Sequence, residues 1–241
     1  MQLILIAGQA GVGKTTLAHH IAQTSFELGY RPAVLSFAGP LKEEAKSKGY
    51  DKETNPDKYR EFCQTYGLLK REQDVDYWVN KFEEQLKEIL KEETIELDNG
   101  NIFWERCVIV DDCRFLNEVN LGKKWNAKLI FMSYGSREMN DPDGDWRTHE
   151  SEELANRVIG GDKDYEEMFN YIVLNNSSET ALEDKAKLMT PIWCETNVDP
   201  ETDKKMLKEA YIEELLDILL LGQMDNDEEE EEDEGTEEGL P

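Results

Sequence analysis

Residues 8–15 bring together the residue types that bind a nucleoside triphosphate. The segment reads Gly8-Gln9-Ala10-Gly11-Val12-Gly13-Lys14-Thr15 and satisfies the pattern GxxxxGK[ST]. Glycines let successive backbone N–H groups converge on an anion, and a following helix adds its positive N-terminal end. The Lys14 ammonium can reach the β- and γ-phosphates, and the Thr15 hydroxyl can ligate Mg²⁺. We therefore predict a phosphate-binding loop (P-loop) for ATP, with the contact residues Gly8, Gly11, Val12, Gly13, Lys14, Thr15 and Thr16.

The flanking residues predict the strand and the helix that this motif requires. Leu3 to Ala7 is a continuous apolar run, typical of a strand buried on both faces, and Thr15 to Leu28 has helical periodicity. Because further strands alternate with helices, the chain predicts an α/β fold with a central five-stranded parallel sheet and right-handed crossovers. The other predicted strands are Pro32 to Phe37, Cys107 to Val110, Lys128 to Ser133 and Tyr171 to Leu174.

Two carboxylates directly follow the predicted strand Cys107 to Val110. Asp111 and Asp112 are expected at its carboxyl end, where open α/β sheets bind their ligands. Either one could hold Mg²⁺ directly or through water, and the pattern does not decide between them. The alternative is that both are solvated acids. Arg114 would point into the same cleft as a phosphate ligand, or else lie on the surface.

A long polar segment separates the second and third strands. Pro40 can open a helix, and Glu53 to Lys91 has a helical pattern with an interruption near Gly67. The clearest helix is Val75 to Leu90, because its apolar residues share one face. We predict a helical region over about residues 40–105.

The segment from Tyr134 to Gly161 is predicted to be a mobile loop with a short helix, acting as a lid over about residues 134–161. Arg137 and Arg147 are the preferred lid cations, because a closing lid can exclude water and neutralise phosphate charge. Alternatively, these arginines pair with Asp141, Asp143 or Glu150 on the surface. His149 has either a substrate contact or a structural role.

The composition constrains the partners of the chain. The net charge is −27 over 241 residues, and residues 225–241 contribute eleven carboxylates and no base. Such a protein is repelled by nucleic acid and by anionic membranes unless a local basic groove intervenes. The four cysteines have no metal-binding spacing, and no run is long enough to span a bilayer. We expect a cytoplasmic protein with reduced thiols.

The C-terminal part differs from the rest. Met206 to Leu221 has an amphipathic helical pattern that would pack on the domain or bind a partner. The acidic tail is low in complexity and predicted to be disordered. The predicted organisation is therefore a domain at 1–188, a helical extension at 189–222 and a tail at 223–241.

Six motifs, in the same order, resemble those of the bacteriophage-type deoxynucleoside monophosphate kinases, a branch of the P-loop nucleotide kinases. The resemblance covers residues 1 to about 188. Besides the P-loop, the motifs are Phe37-Ala38-Gly39-Pro40-Leu41-Lys42, Asp76-Tyr77-Trp78-Val79, Asp112-Cys113-Arg114 with Asn117-Glu118, Thr148-His149-Glu150-Ser151-Glu152, and Val173-Leu174-Asn175-Asn176-Ser177.

The resemblance implies a P-loop kinase fold and transfer of the ATP γ-phosphoryl to a deoxynucleoside 5′-monophosphate, with Mg²⁺. It implies that Lys42 and Arg114 grip the acceptor phosphate and that Asp76 and Trp78 shape the nucleoside pocket. Asn175 and Asn176 would border the donor adenine. A homodimer is one assembly that the resemblance suggests. The predicted catalytic residues are Lys14, Arg114, Arg137 and Arg147.

Two other functions are compatible with the same residues. One is a P-loop kinase that phosphorylates a hydroxymethylated base in viral DNA. The other is a non-catalytic nucleotide-binding protein whose acidic tail engages a basic partner.

Overall fold

A computed structural model describes residues 1–91, 94–97, 100–103, 105–134, 150–175 and 178–194, with only the backbone described at 94–97 and 100–103. Five of its strands form one sheet in the order β2-β5-β1-β6-β7. The strands are β1 (Gln2–Gly8), β2 (Arg31–Leu35), β5 (Arg106–Cys113), β6 (Lys128–Ser133) and β7 (Tyr171–Leu174). Each neighbouring pair is parallel. The predicted five-stranded parallel sheet is therefore confirmed.

Helices cover both faces of the sheet. Helices α1 (Lys14–Glu27) and α8 (Glu179–Cys194) pack together on one face. The other face receives apolar side chains from α4 (Tyr77–Lys91), α5 (Leu116–Lys124) and α6 (Glu153–Ile159). All seven residues of β1 are buried, because a central strand is covered on both sides.

The region between β2 and β5 contains three helices and a hairpin. Helices α2 (Gly39–Ser47) and α3 (Pro56–Gln73) precede α4, and the antiparallel strands β3 (Thr94–Leu97) and β4 (Gly100–Phe103) follow it. The predicted interruption near Gly67 is wrong: α3 runs through Gly67 without a break. Gly67 is buried close to Leu41, so the glycine permits close helix packing instead of ending the helix. The hairpin was not predicted.

Several element ends differ from the predicted ones. Strand β2 ends at Leu35, which leaves Ser36 and Phe37 in the turn before α2, and β5 continues through both aspartates to Cys113. Helix α8 continues to Cys194 instead of ending at Leu188, since Trp193 and Cys194 are buried. The short helix predicted in the lid corresponds to α6, which follows a 3₁₀ turn at Glu150–Glu152; α7 (Lys163–Glu166) comes before β7.

The described part of the chain has no helix that is both long and apolar enough to cross a membrane. All four cysteines are free thiols. The predicted helix at 206–221 and the acidic tail lie outside the described residues.

Candidate functional site

The P-loop connects the carboxyl end of β1 to the first residue of α1. Gly8 has a φ of 140°, and a Cβ at this position would lie 2.2 Å from the Met132 carbonyl oxygen. Gly13 has a φ of 97° as the N-cap of α1, where a Cβ would meet the Asn175 amide at 2.9 Å. A side chain at either position would be strained and would clash. The conformation of the loop therefore depends on these glycines. Helix α1 begins directly after Gly13.

The side chain of Lys14, the first residue of α1, folds back against this loop instead of extending away from it. Its ammonium donates to the carbonyl oxygens of Gly8 at 2.7 Å and Gln9 at 2.6 Å, and the residue is 6% exposed. Burial, with the nearby Arg114 guanidinium as the second cause, lowers the pKa of Lys14 to about 8. An anion placed in the loop would raise this pKa again, because it stabilises the charged form.

Thr15 and Asp111 join the P-loop to β5. The Thr15 hydroxyl, in the first turn of α1, donates to Asp111 Oδ2 at 2.7 Å on β5, the strand next to β1. Hydroxyl and carboxylate oxygens are the ligands that Mg²⁺ takes from proteins. The described residues contain no cluster of three or more His, Cys, Asp or Glu side chains suited to a metal ion.

Asp112 has a different environment from Asp111. Its carboxylate accepts hydrogen bonds from the Ser36 hydroxyl at 2.6 Å, the Phe37 amide at 2.7 Å and the Ala38 amide at 3.1 Å. These three donors belong to the turn between β2 and α2. Asp112 therefore holds the turn, and two of its partners are backbone groups that cannot move independently.

Lys42 is positioned by the same turn. It lies in the first half of α2, and its ammonium donates to the Ser36 hydroxyl at 3.1 Å. Ser36 thus joins Lys42 to Asp112, which places a cation beside the carboxyl end of β5.

Arg114 follows β5 and is held by two glutamates. Its guanidinium Nη1 lies 2.7 Å from Glu152 Oε1, and its backbone N–H donates to Glu118 Oε2 at 2.6 Å. Glu118 is fully buried and also accepts from the Phe115 amide at the start of α5. Burial is the main cause that raises the pKa of Glu118 to about 8.

One cleft collects most of the predicted site. It has a volume of about 510 Å³ and opens at the carboxyl ends of β1 and β5. Its lining includes P-loop residues, both aspartates and two cations from other elements. These residues are Gly11, Gly13, Lys14, Thr15, Thr16, Ala38, Lys42, Asp111, Asp112 and Arg114.

The other predicted site residues lie elsewhere or outside the described chain. Asp76 is exposed and accepts from Asn117 at 3.0 Å, whereas Trp78 is 2% exposed and donates its indole N–H to the Gly67 carbonyl oxygen at 3.1 Å. The Asn175 amide donates to the Val12 carbonyl oxygen at 2.9 Å, which places it beside the P-loop. Arg137, Arg147, His149 and Asn176 fall outside the described residues.

Four residues in or near this site had no clear signal in the sequence: Ser36, Arg71, Glu118 and Glu152. Glu118 and Glu152 occur in the motifs described above but had no predicted role, since a sequence pattern does not show that a glutamate will be buried. The Arg71 guanidinium lies 4.2 Å from the centre of the Phe115 ring. Burial lowers the pKa of Arg71, and the carboxylates of Glu118, Glu150 and Asp112 partly offset this by acting in the opposite direction. The position of Arg71 on a long polar helix gave no signal.

No protein-family model matches this chain, and a search of curated proteins found no match.

Proposed function

We propose that this protein is an ATP-dependent deoxynucleoside monophosphate kinase with a P-loop kinase fold. The observation that carries the proposal is the composition of the cleft. A P-loop, a carboxylate on the adjacent strand and two separate cations line the same 510 Å³ volume. The P-loop accounts for one phosphorylated ligand. Lys42 and Arg114 come from other elements and account for a second.

The chemistry of this site requires alignment more than proton transfer. The phosphate oxygen of a nucleoside monophosphate is already anionic, so a nucleophile needs no strong base. Lys14 and the amides at the start of α1 would bind the donor phosphates, while Lys42 and Arg114 would hold the acceptor phosphate. Fixed cations then favour the charge that spreads over the transferring group.

The oxygen pair formed by Thr15 and Asp111 fits Mg²⁺. When bound, this ion would neutralise charge on the donor phosphates. Asp111 is the better ligand of the two aspartates, because the Asp112 carboxylate already accepts from Ser36, Phe37 and Ala38. We therefore assign Asp112 to holding the Lys42-bearing turn and Asp111 to the metal.

The lid, the partners and the assembly of the protein are proposed from the resemblance and from the net charge. The predicted lid over about residues 134–161 ends in α6, whose Leu154, Ala155 and Val158 are packed in the core. The part that would close over the cleft therefore precedes residue 150, with Arg137 and Arg147 as its cations. With a net charge of −27, the protein is expected to act on free nucleotides in the cytoplasm, without binding nucleic acid or membranes. A homodimer is its proposed assembly.

A panel of deoxynucleoside monophosphates tests the function directly. Each is incubated with ATP and Mg²⁺, and diphosphate formation is measured by chromatography, with Lys14→Ala as the control variant. We expect at least one monophosphate to be converted by the wild type and none by Lys14→Ala. Hydroxymethylated DNA is included as an acceptor, and turnover with that polymer alone would overturn the proposal. ATP binding without transfer to any acceptor would instead favour a nucleotide-binding interaction protein.

A further inference from the structure

A single buried carboxylate connects the P-loop to Arg114. Glu152 Oε2 accepts from the Ala10 backbone N–H at 3.1 Å, and Oε1 accepts from Arg114 Nη1 at 2.7 Å. The Glu152 side chain is 3% exposed. A buried carboxylate whose two oxygens each have a donor has little freedom to move. Ala10 and Arg114 are therefore held at opposite ends of one rigid group.

We propose that Glu152 is a positioning residue that sets the place of Arg114 relative to the P-loop, and so aligns the two phosphate-binding halves of the cleft. This inference rests on the proposed function. Ala10 belongs to the loop for the donor, whereas Arg114 lines the cleft as a ligand for the acceptor phosphate. Because the contacts of Arg114 with Glu152 and Ser151 both use Nη1, the other N–H groups of the guanidinium can be given to a phosphate.

The backbone around Glu152 gives the carboxylate a firm anchor. Glu152 ends the 3₁₀ turn at Glu150–Glu152 and directly precedes α6, which buries Leu154, Ala155 and Val158. These three residues belong to the core beneath the sheet. A side chain attached to a packed element holds its partners more accurately than one on a free loop.

The charge of Glu152 also has a role that a neutral side chain could not fill. Lys14 and Arg114 are close enough for Arg114 to lower the pKa of Lys14, whereas Glu152 acts in the opposite direction. The carboxylate thus reduces repulsion between two cations that must share the cleft. Both the position and the negative charge of the Glu152 carboxylate fit the proposed role.

The variant Glu152→Gln tests the proposal, because it keeps the side-chain size but removes the charge. We expect kcat to fall about 10- to 100-fold, as is typical when a reacting group is misplaced by a fraction of an ångström to 1 Å. The KM for ATP should stay within about threefold, since the glutamine Oε1 can still accept a hydrogen bond from the Ala10 N–H of the P-loop. Glu153→Gln is the matched control: its side chain is 64% exposed, and its carboxylate lies 3.9 Å from Arg157. We expect it to match the wild type.

A double-mutant cycle separates positioning from a general structural effect. If Glu152 acts through Arg114, then Glu152→Gln should lower kcat less than about twofold in an Arg114→Gln background. Equal losses in both backgrounds would overturn the proposal. Should Glu152→Gln fail to fold, Glu152→Asp tests the same claim, because it keeps the charge but is too short to contact both partners. Glu152→Asp should also lower kcat about 10- to 100-fold. A kcat equal to that of the wild type would contradict the positioning role.

A spectroscopic measurement tests the position of Arg114 without any turnover. In ¹⁵N-labelled protein, the Arg114 guanidinium signal, identified by its loss in Arg114→Lys, should be protected from exchange in the wild type and lose that protection in Glu152→Gln. An unchanged signal would overturn the positioning role even if the protein is an active kinase. Conversely, a changed signal in a protein that phosphorylates no monophosphate would support the bridge and reject the proposed function.

Discussion

At the scale of single residues, the site is controlled by how each charge is paired. Lys14 is the clearest case, because its ammonium is buried against two carbonyl oxygens. Its pKa is lowered from 10.5 to about 8. The folded chain therefore binds fewer protons than the unfolded chain between these two values, so this group makes the folded state more stable as the pH rises from about 8 to 10.5.

Nucleotide binding should show the opposite dependence on pH. Phosphates favour the charged lysine, so a nucleotide must bind together with a proton once the pH exceeds about 8. We expect ATP affinity, measured by calorimetry from pH 7 to 9.5, to be flat below pH 8 and to fall by up to about tenfold per pH unit above it. Lys14→Arg is the control, because a guanidinium does not titrate in this range. A flat wild-type profile would contradict a Lys14 that both titrates near pH 8 and binds the nucleotide phosphates.

The two aspartates should behave as a contrasting pair. Asp112→Asn weakens bonds to three donors of the β2–α2 turn, so we expect a loss of about 1–3 kcal/mol in the free energy of unfolding. Asp111→Asn should change stability little but weaken Mg²⁺-dependent ATP binding by about tenfold or more. Urea unfolding and calorimetry with and without EDTA measure the two effects. The reverse pattern would mean that Asp112 is the metal ligand.

At the scale of elements, α4 is joined to α3 through Trp78. The indole N–H bonds to the Gly67 carbonyl oxygen on α3, while the ring is buried. Trp78→Phe should lower the free energy of unfolding by about 1–2 kcal/mol and leave the KM for the acceptor unchanged, because the side chain packs between helices. A raised acceptor KM with unchanged stability would instead support the nucleoside contact that the resemblance implies.

Helix α5 depends on a glycine where it crosses the sheet. A Cβ at Gly122 would lie 2.8 Å from side-chain carbons of both Leu5 and Leu129. Gly122→Ala should therefore destabilise the protein by about 1–3 kcal/mol, although alanine is the better helix former. Gly39→Ala in the first turn of α2 is the control, since its nearest neighbour would be 3.7 Å away, and thermal unfolding compares the two. Equal melting temperatures would contradict the close packing of α5.

The sequence predicted the elements whose patterns are local. Strand β1 and the P-loop could be recognised because an apolar run followed by spaced glycines has few other interpretations. The interruption predicted near Gly67 was wrong, because a glycine that allows a neighbouring helix to pack closely cannot be distinguished in a sequence from one that ends a helix. The role of Asp112 was also hidden, because its three partners are 74–76 residues away in the chain.

At the scale of the whole molecule, the cations of the cleft contrast with the net charge of the chain. The chain carries −27, of which −11 belongs to residues 225–241 and −16 to the rest. Lys14, Lys42 and Arg114 nevertheless line one cleft at the carboxyl edge of the sheet. This contrast favours small phosphorylated ligands that can enter the cleft over an extended polyanion, which the net negative charge of the chain would repel.

The most direct test of the account is the fate of the γ-phosphoryl group. ATP labelled at the γ-phosphate is mixed with an excess of the preferred deoxynucleoside monophosphate, hydroxymethylated DNA, Mg²⁺ and the protein, and the products are separated. We predict that the label appears in the β-phosphate of the deoxynucleoside diphosphate, with one ADP formed for each label transferred, and that Lys14→Ala abolishes this transfer. Label found only in inorganic phosphate, or only in hydroxymethylated DNA, would contradict the account.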